Sequence, residues 1–353
     1  MHTIDIIIVN HNSSDCAAES IKSIKRTING FSANIVVVDN ASEDHPERLE
    51  QLFPDIRLLL VKENLGYSRA INMALKTCGR PYVVIMNPDT IVLKGVFSNI
   101  LEYLDKNKNV GVVGPKIIDP DGSIQGSARK FPTAWTYAFG RKSPLTRIFP
   151  ENAITKKEFV CFDCNGDQEI TVDWVSGAFM VVRREAFEAV GGFDERFFLY
   201  WEDTDLCKRI KEAGWQVVYY PKAEIKHMVG VSSKKSPIKS ICHFHHSCYK
   251  LFDKHSKSSI KILAPSVLIA LALRCAFVIL LNVISRNISC RGYKLDKMNT
   301  QEKNRTKSNK ENKALGILSR RFNVSVTNCF ERNPLIEVCD ATYSSLKNYL
   351  AKR

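Results

Sequence analysis

The chain has 353 residues, 44% of them hydrophobic and 25% charged, a composition that excludes a disordered chain and suits one large domain with an appendage. Lysine and arginine number 51 against 37 aspartates and glutamates, a formal net charge of +14, so an anionic partner is expected: phosphate groups, an acidic membrane surface or nucleic acid. Eleven cysteines, odd in number and without framework spacing, read as reduced thiols of a cytosolic protein rather than as disulfides.

The run Ile4 to Val9 is short, carries Asp5 and lacks a basic leader, so it reads as a buried strand and not as a secretory signal. Strands are also expected at Asn34 to Val38, Ile56 to Val61 and Tyr82 to Met86. Helices are expected at Cys16 to Thr27, Pro46 to Phe53 and Tyr67 to Thr77, where apolar residues recur at three- and four-residue spacing. This alternation is the pattern of an α/β domain with a largely parallel sheet covered by helices. After Val110 to Gly114 the pattern loosens, and Asp119 to Gln168, with its Asp121-Gly122 turn signal and several prolines, reads as active-site loops and an insertion. Regular structure is expected again at Val172 to Arg183, in helices over Arg184 to Val190 and Asp203 to Ala213, and in a strand at Gln216 to Tyr220.

The α/β domain is expected to occupy residues 1–236. Residues 237–290 hold a cationic, His-rich stretch and then an apolar segment, Ile262 to Ile284, interrupted by Pro265, Arg274 and Asn282. An arginine near mid-span costs roughly 2.5–3.5 kcal/mol on insertion scales. The segment therefore reads first as a helix or helical hairpin lying in the membrane interface, with Arg274 and flanking lysines reaching lipid phosphates; a true span and a helix packed on the domain are the alternatives. Residues 291–353 form a basic, polar tail, partly disordered by composition.

In open α/β sheets ligands collect at the carboxyl ends of the strands. Three polar sets stand there: Asn10, His11 and Asn12; Asp39 and Asn40; Asn87 and Asp89. One such set alone is an ordinary turn or cap. Three together suit a divalent cation carrying diphosphate oxygens. A second constellation, Gly191-Gly192-Phe193-Asp194 and then Tyr200, Trp201, Glu202, Asp203 and Asp205, places acids beside aromatic residues at a helix start. Partial desolvation there raises a carboxyl pKa toward the range of a general base, and aromatic faces suit sugar rings. His227, just after the last strand, is placed to complete a metal site begun by Asp89.

In order and spacing, Val38-Asp39-Asn40-Ala41-Ser42, Asn64-Leu65-Gly66-Tyr67-Ser68-Arg69-Ala70-Ile71-Asn72, Asn87-Pro88-Asp89, Gly177-Ala178 and Glu202-Asp203-Thr204-Asp205-Leu206 resemble family 2 glycosyltransferases of the GT-A fold, closest to the rhamnosyltransferase-like branch. The resemblance covers about Ile4 to Ser233. It implies a Rossmann-like mixed sheet flanked by helices and Mg2+ or Mn2+ as cofactor. It also implies inverting transfer of a sugar, rhamnose from dTDP-rhamnose by preference, onto a saccharide or lipid-linked saccharide in cell-surface polysaccharide synthesis at the inner face of the membrane.

Residue by residue, the resemblance implies that Asp39, with Asn10 and Asn12 near it, holds the base or ribose. Asn64, Arg69, Asn72 and Asn87 line the donor site, and Asp89 and His227 hold the metal. Asp203 is implied as the base, Glu202 and Asp205 orient it or the acceptor, and Trp174, Gly177 and Trp201 form the acceptor side. His11 stands where the family often has tyrosine.

The rival readings are weaker. A dinucleotide oxidoreductase needs a glycine-rich turn where this chain has Asn10-His11-Asn12, and a nucleotidyltransferase needs a Gly-, Arg- and Lys-bearing loop there. A zinc site from Cys161, Cys164, Cys242, His243, His245, His246 and Cys248 fits no standard finger, and a phosphate- or membrane-facing surface is expected of the His-rich stretch instead. A basic binding module without catalysis is the main alternative, but nucleic acid is not expected, because the positive excess sits in the last third while the α/β domain carries acids that repel a polyanion.

Overall fold

The computed structural model describes residues 3–28, 30–133, 160, 168–228 and 236–284. Two compact units divide the chain, Met1–Leu281 and Asn282–Arg353, and the second lies outside the described residues except for 282–284. The first strand, β1 (Thr3–Asn10), sets the design. Ile4, Ile6 and Ile8 enter the core on one face of the sheet and Ile7 and Val9 the core on the other, the two-sided burial of a central strand. Asp5 is tolerated there because its carboxylate accepts the N–H groups of Gly79 (3.0 Å) and Arg80 (2.8 Å), the Asn34 amide (2.8 Å) and the Arg184 guanidinium (3.0 Å), which satisfies a buried charge.

The chain continues through α1 (Ser14–Thr27), β2 (Ser32–Asn40), α2 (Arg48–Leu52), β3 (Arg57–Val61), α3 (Tyr67–Leu75), β4 (Tyr82–Met86), β5 (Thr90–Val92), α4 (Val96–Lys106) and β6 (Val110–Ile118). Then come β7 (Ala128–Arg129), β8 (Ile170–Thr171), β9 (Trp174–Val175), β10 (Phe179–Arg183), α5 (Arg184–Ala189), α6 (Glu202–Glu212) and β11 (Gln216–His227). The sheet order is β3-β2-β1-β4-β10-β6-β11-β5, with β8 beside β11 and a separate β7-β9 ribbon. Strands β3, β2, β1 and β4 are parallel, β10 is antiparallel to both β4 and β6, and β5 is antiparallel to β11. The sheet is therefore mixed, as the resemblance implies.

Several elements differ from their expected form. Helix α4 stands where no element is expected, although Val96, Phe97, Ile100, Leu101 and Leu104 are buried at helical spacing. The expected run Val172 to Arg183 is broken at Ser176-Gly177-Ala178, because Gly177 turns its N–H out of the sheet to the Asp203 carboxylate. Strand β11 runs on to His227 through an irregularity between Tyr220 and Glu224. The His-rich stretch is a helix, α7 (Pro237–His255), that buries His245, Ser247, Cys248, Leu251 and Phe252. Its three- and four-residue spacing packs that face against Phe197, while Cys242 and His246 on the outer face stay exposed. After α8 (Ser258–Lys261), Pro265 falls in the first turn of α9 (Ala264–Ile284), where no helical N–H is lost, so it does not interrupt the helix. Helix α9 is long and apolar enough to cross a membrane. Ile269 and Leu273 are more than half exposed while Leu271 packs with α7.

Candidate active site

Strand register brings the expected residues to one edge. Asn10 pairs with Asp39 across β1 and β2, and Ile8 with Met86 across β1 and β4, so the residues after all three strands share the carboxyl end of the sheet. Asn10 is fully enclosed. Its amide donates to Asp39 Oδ1 at 2.8 Å and to Ser14 and Ser42 hydroxyls at 3.1 and 3.2 Å, so it acts by fixing the Asp39 carboxylate. Asp39 also accepts the Ser42 N–H at 3.0 Å. Asn12, at φ 55°, receives the Glu43 N–H at 2.8 Å and folds the 41–44 loop over this corner. Asn64 accepts the Asn40 amide and the Gly66 N–H, both at 2.9 Å, leaving the rest of its side chain exposed.

Arg69 and Asn72 project from α3 toward a different segment. Arg69 lies 3.5 Å from Glu195, and Asn72 exchanges hydrogen bonds with the Phe193 backbone at 2.9 and 3.0 Å. Asn72 thereby holds the Gly191–Phe193 turn in place.

The pair Asp89 and His227 is brought together by the pairing of β5 with β11, which aligns Thr90 with His227 and lets the Met228 N–H donate to the Asp89 carbonyl at 2.9 Å. His227 Nε2 lies 3.1 Å from Asp89 Oδ1 and 3.4 Å from the Asn87 amide, and both Asp89 and His227 are buried. On the far side, Nδ1 lies 3.2 Å from Gln125 Oε1, and Gln125 is itself oriented by donating to Asp119 Oδ1 at 2.9 Å. With the ring proton on Nδ1 donated to Gln125, the Nε2 lone pair faces a carboxylate oxygen. Two acceptors side by side, backed by an oriented second partner, form a donor set that fits a divalent cation. Among the described residues no group of three or more His, Cys, Asp or Glu is placed to hold a metal, so Asp89 and His227 would supply two ligands and leave the other positions to water or substrate oxygens. Cys161 and Cys164 of the alternative zinc set lie outside the described residues.

The acids at the start of α6 face the same edge. The Ala178 carbonyl accepts the Asn87 N–H at 3.0 Å and the Thr90 hydroxyl at 3.1 Å, anchoring the β9–β10 turn to the end of β4. From that turn the Gly177 N–H donates to Asp203 Oδ2 at 2.9 Å, while the Thr204 N–H donates to Oδ1 at 2.7 Å. Burial and the adjacent Asp203 charge push the Glu202 carboxyl well above its ordinary pKa. Burial raises Asp203 as well, opposed by the Gly177 and Thr204 hydrogen bonds and by the Arg129 charge. Glu202 Oε2 is buried without a partner. Two backbone N–H groups thus stabilise the charged form of Asp203, whereas Glu202 Oε2 has none.

Tyr67 is a site residue that spacing did not single out. Burial, then the charges of Glu202, Asp203 and Asp89, push its phenol well above the ordinary range, so it stands where the two acidic groups meet. Its hydroxyl donates to the Gly177 carbonyl at 3.4 Å.

Trp174 and Trp201 are tilted neighbours with centroids 6.3 Å apart, and the Arg129 guanidinium lies 4.8 Å over the Trp174 ring. Asp205 is directed elsewhere. It is fully buried and receives Arg209 at 2.8 Å, Lys254 at 2.6 Å and His255 at 2.7 Å, joining α6 to α7. Arg129, Gln125 and Tyr67 were legible only as ordinary loop or helix residues, because their significance depends on contacts made across the sheet.

The model of glycosyl transferase family 2 matches residues 5–191, more than half of the chain. The chain belongs to that family. A second model, described as the N-terminal domain of galactosyltransferase, matches residues 168–233. This glycosyltransferase is 35% identical over 239 residues to the N-acetylglucosaminyl-diphospho-decaprenol L-rhamnosyltransferase of Mycobacterium tuberculosis, covering 63% of this chain and 76% of the relative. It is 25% identical over 271 residues to the rhamnosyltransferase WbbL of Escherichia coli, covering 73% and 92%. Among solved structures it is similar to a mannosyltransferase from Pyrobaculum calidifontis in complex with GDP-Man and Mn2+, at TM-score 0.47 and 18% identity over 80% of this chain and 79% of that one.

Proposed function

We propose that this glycosyltransferase transfers a sugar, rhamnose from dTDP-rhamnose by preference, onto a saccharide or lipid-linked saccharide acceptor in cell-surface polysaccharide synthesis, with inversion at the anomeric carbon. The observation that carries the reading is that one turn touches both acidic groups: the Ala178 carbonyl accepts the Asn87 N–H and the Thr90 hydroxyl on either side of Asp89, and the Gly177 N–H donates to Asp203. The rhamnosyltransferase relatives support the donor and the acceptor class.

In this reading residues 1–236 form the catalytic domain. The acceptor hydroxyl lies against Asp203, whose carboxylate is pointed by the Gly177 and Thr204 N–H groups. The acceptor oxygen attacks the anomeric carbon, its proton passes to Asp203, and the bond to the nucleotide diphosphate breaks with the electron pair leaving on the phosphate oxygen. A single base without an assigned carboxylate nucleophile supports one displacement and hence inversion. Asp39, held by Asn10 and Ser42, receives the nucleoside. Asp89 and His227 would hold Mg2+ or Mn2+, which supplies positive charge against the departing diphosphate. Trp174 and Trp201 face the acceptor saccharide. Residues 237–290 attach the enzyme to the anionic inner face of the membrane through α9, whose single charged residue is Arg274, and residues 291–353 form a basic tail.

The experiment is nucleotide diphosphate release by purified protein from a panel of nucleotide sugars, with a lipid-linked saccharide supplied, with and without EDTA. Release from one donor, lost with EDTA and in Asp203→Asn, is the expected result. Silence from every donor with acceptor present would transfer the weight to a binding module without catalysis.

A further inference from the structure

Helix α7 lies beyond the residues matched by either family model, and glycosyl transfer assigns no part to its His- and Cys-rich sequence. Its contacts nevertheless follow one short segment. The His243 ring stacks on Phe198 with centroids 4.6 Å apart and planes 18° from parallel. Ser247 donates its hydroxyl to the Leu199 carbonyl at 2.9 Å. Phe244 packs against Tyr200 at 5.8 Å and Trp201 at 5.3 Å. Each residue from Phe198 to Trp201 is thus met by α7, and the next two are Glu202 and Asp203.

That segment has a reason to need support. Tyr200 and Trp201 sit at φ 68° and 67°, left-handed conformations that bulky residues keep only where their surroundings over-determine them. On its other side the segment reaches the start of α3, since the Phe198 carbonyl accepts the Tyr67 N–H at 2.7 Å. Farther along α7, Lys254 and His255 clasp Asp205, in the first turn of α6, where Asp203 also lies.

We propose that α7 is a positioning element of the catalytic centre, with His243, Phe244 and Ser247 holding residues 198–201 in the strained form that aims Asp203. The proposal rests on the glycosyl-transfer reading for its kinetic consequence. Without Phe244 the two left-handed residues relax, the start of α6 turns, and the Asp203 carboxylate leaves its place. A misplacement of about 1 Å costs on the order of a hundredfold in turnover.

The test compares wild type with Phe244→Ala, Ser247→Ala and the conservative Phe244→Tyr. It measures turnover and donor KM by nucleotide diphosphate release, the thermal midpoint, and amide hydrogen exchange of residues 198–203. Phe244→Ala is expected to lose about a hundredfold in kcat with donor KM within about twofold. Exchange at 198–203 is expected to quicken while β1 and β4 stay protected, and Phe244→Tyr is expected to restore both. If Phe244→Ala does not fold, Ser247→Ala, which removes one hydrogen bond, carries the same comparison. Lower thermal midpoints with kcat per folded enzyme and exchange at 198–203 unchanged would make α7 a stabilising brace only and overturn the proposal. A wild type silent toward every donor would sink the glycosyl-transfer reading separately, and the exchange data would still decide whether α7 holds this segment.

Discussion

Replacing Asp205 with alanine strips Arg209, Lys254 and His255 of a shared acceptor in the interior between α6 and α7. Arg209, Lys254 and His255 approach that carboxylate at 2.8, 2.6 and 2.7 Å, and none of the three side chains is more than 19% exposed. Removing one side of a buried ion pair costs about 3–5 kcal/mol, because the remaining charge stays desolvated. Here Lys254 keeps Asp194 at 2.7 Å and Arg209 keeps the Val190 carbonyl at 2.7 Å, which places the loss near the lower end, about 3 kcal/mol. At about 2–4 °C per kcal/mol for a domain of this size, the melting midpoint falls by about 6–12 °C.

The same group fixes a pH signature. Burial works to raise the Asp205 pKa, but His255, Arg209 and Lys254 outweigh it and the folded-state value lies below the ordinary one. Its stabilisation is therefore complete above the unfolded value, about pH 4, and is lost as pH falls through the folded value. Calorimetric melts of wild type and Asp205→Ala should differ most at neutral pH and converge in acid. Midpoints within about 2 °C of each other at neutral pH would refute the reasoning.

Asp203→Asn keeps the shape of the carboxyl but not its basicity, and kcat for acceptor glycosylation should fall by about 10²–10⁴. In the proposed role Asp203 acts ionised, and its pKa is raised by burial, so the acid limb of the wild-type kcat profile should lie above the ordinary carboxylate range. Gln125→Ala should weaken the metal dependence of nucleotide diphosphate release about tenfold by freeing the His227 ring, measured by manganese titration, whereas Asp89→Ala should leave no metal-dependent activity. Gly66→Ala places a Cβ 2.6 Å from the Phe198 ring and 2.7 Å from its carbonyl at φ +81°. It should destabilise the protein by about 2 kcal/mol or more in urea unfolding.

Much of the architecture is legible along the chain. β-branched runs at Ile4–Val9 and Tyr82–Met86 mark central strands, since each residue there is buried whichever face it meets. The polar residues that follow those runs mark the ligand edge, because parallel strands deliver their carboxyl ends to one side. Helix α4 was equally legible, and its spacing alone would have found it.

The information carried along the chain is therefore local: which stretches alternate with period 2 or 3.6, and which polar residues stand at strand ends. Their partners were set by the folding of distant segments onto one another. Asp89 and His227 meet across 138 residues because β5 pairs antiparallel with β11, and Asp203 is pointed by Gly177 because β10 enters the sheet backwards beside β4. Asp205, two residues beyond Asp203 in an acidic run that looks uniform, is rotated by the helical step into the interior to serve α7. The physical reason is range. Backbone periodicity is fixed by neighbours a few residues apart, while strand order and register, which choose among distant side chains, depend on how the whole set of apolar faces can be buried at once.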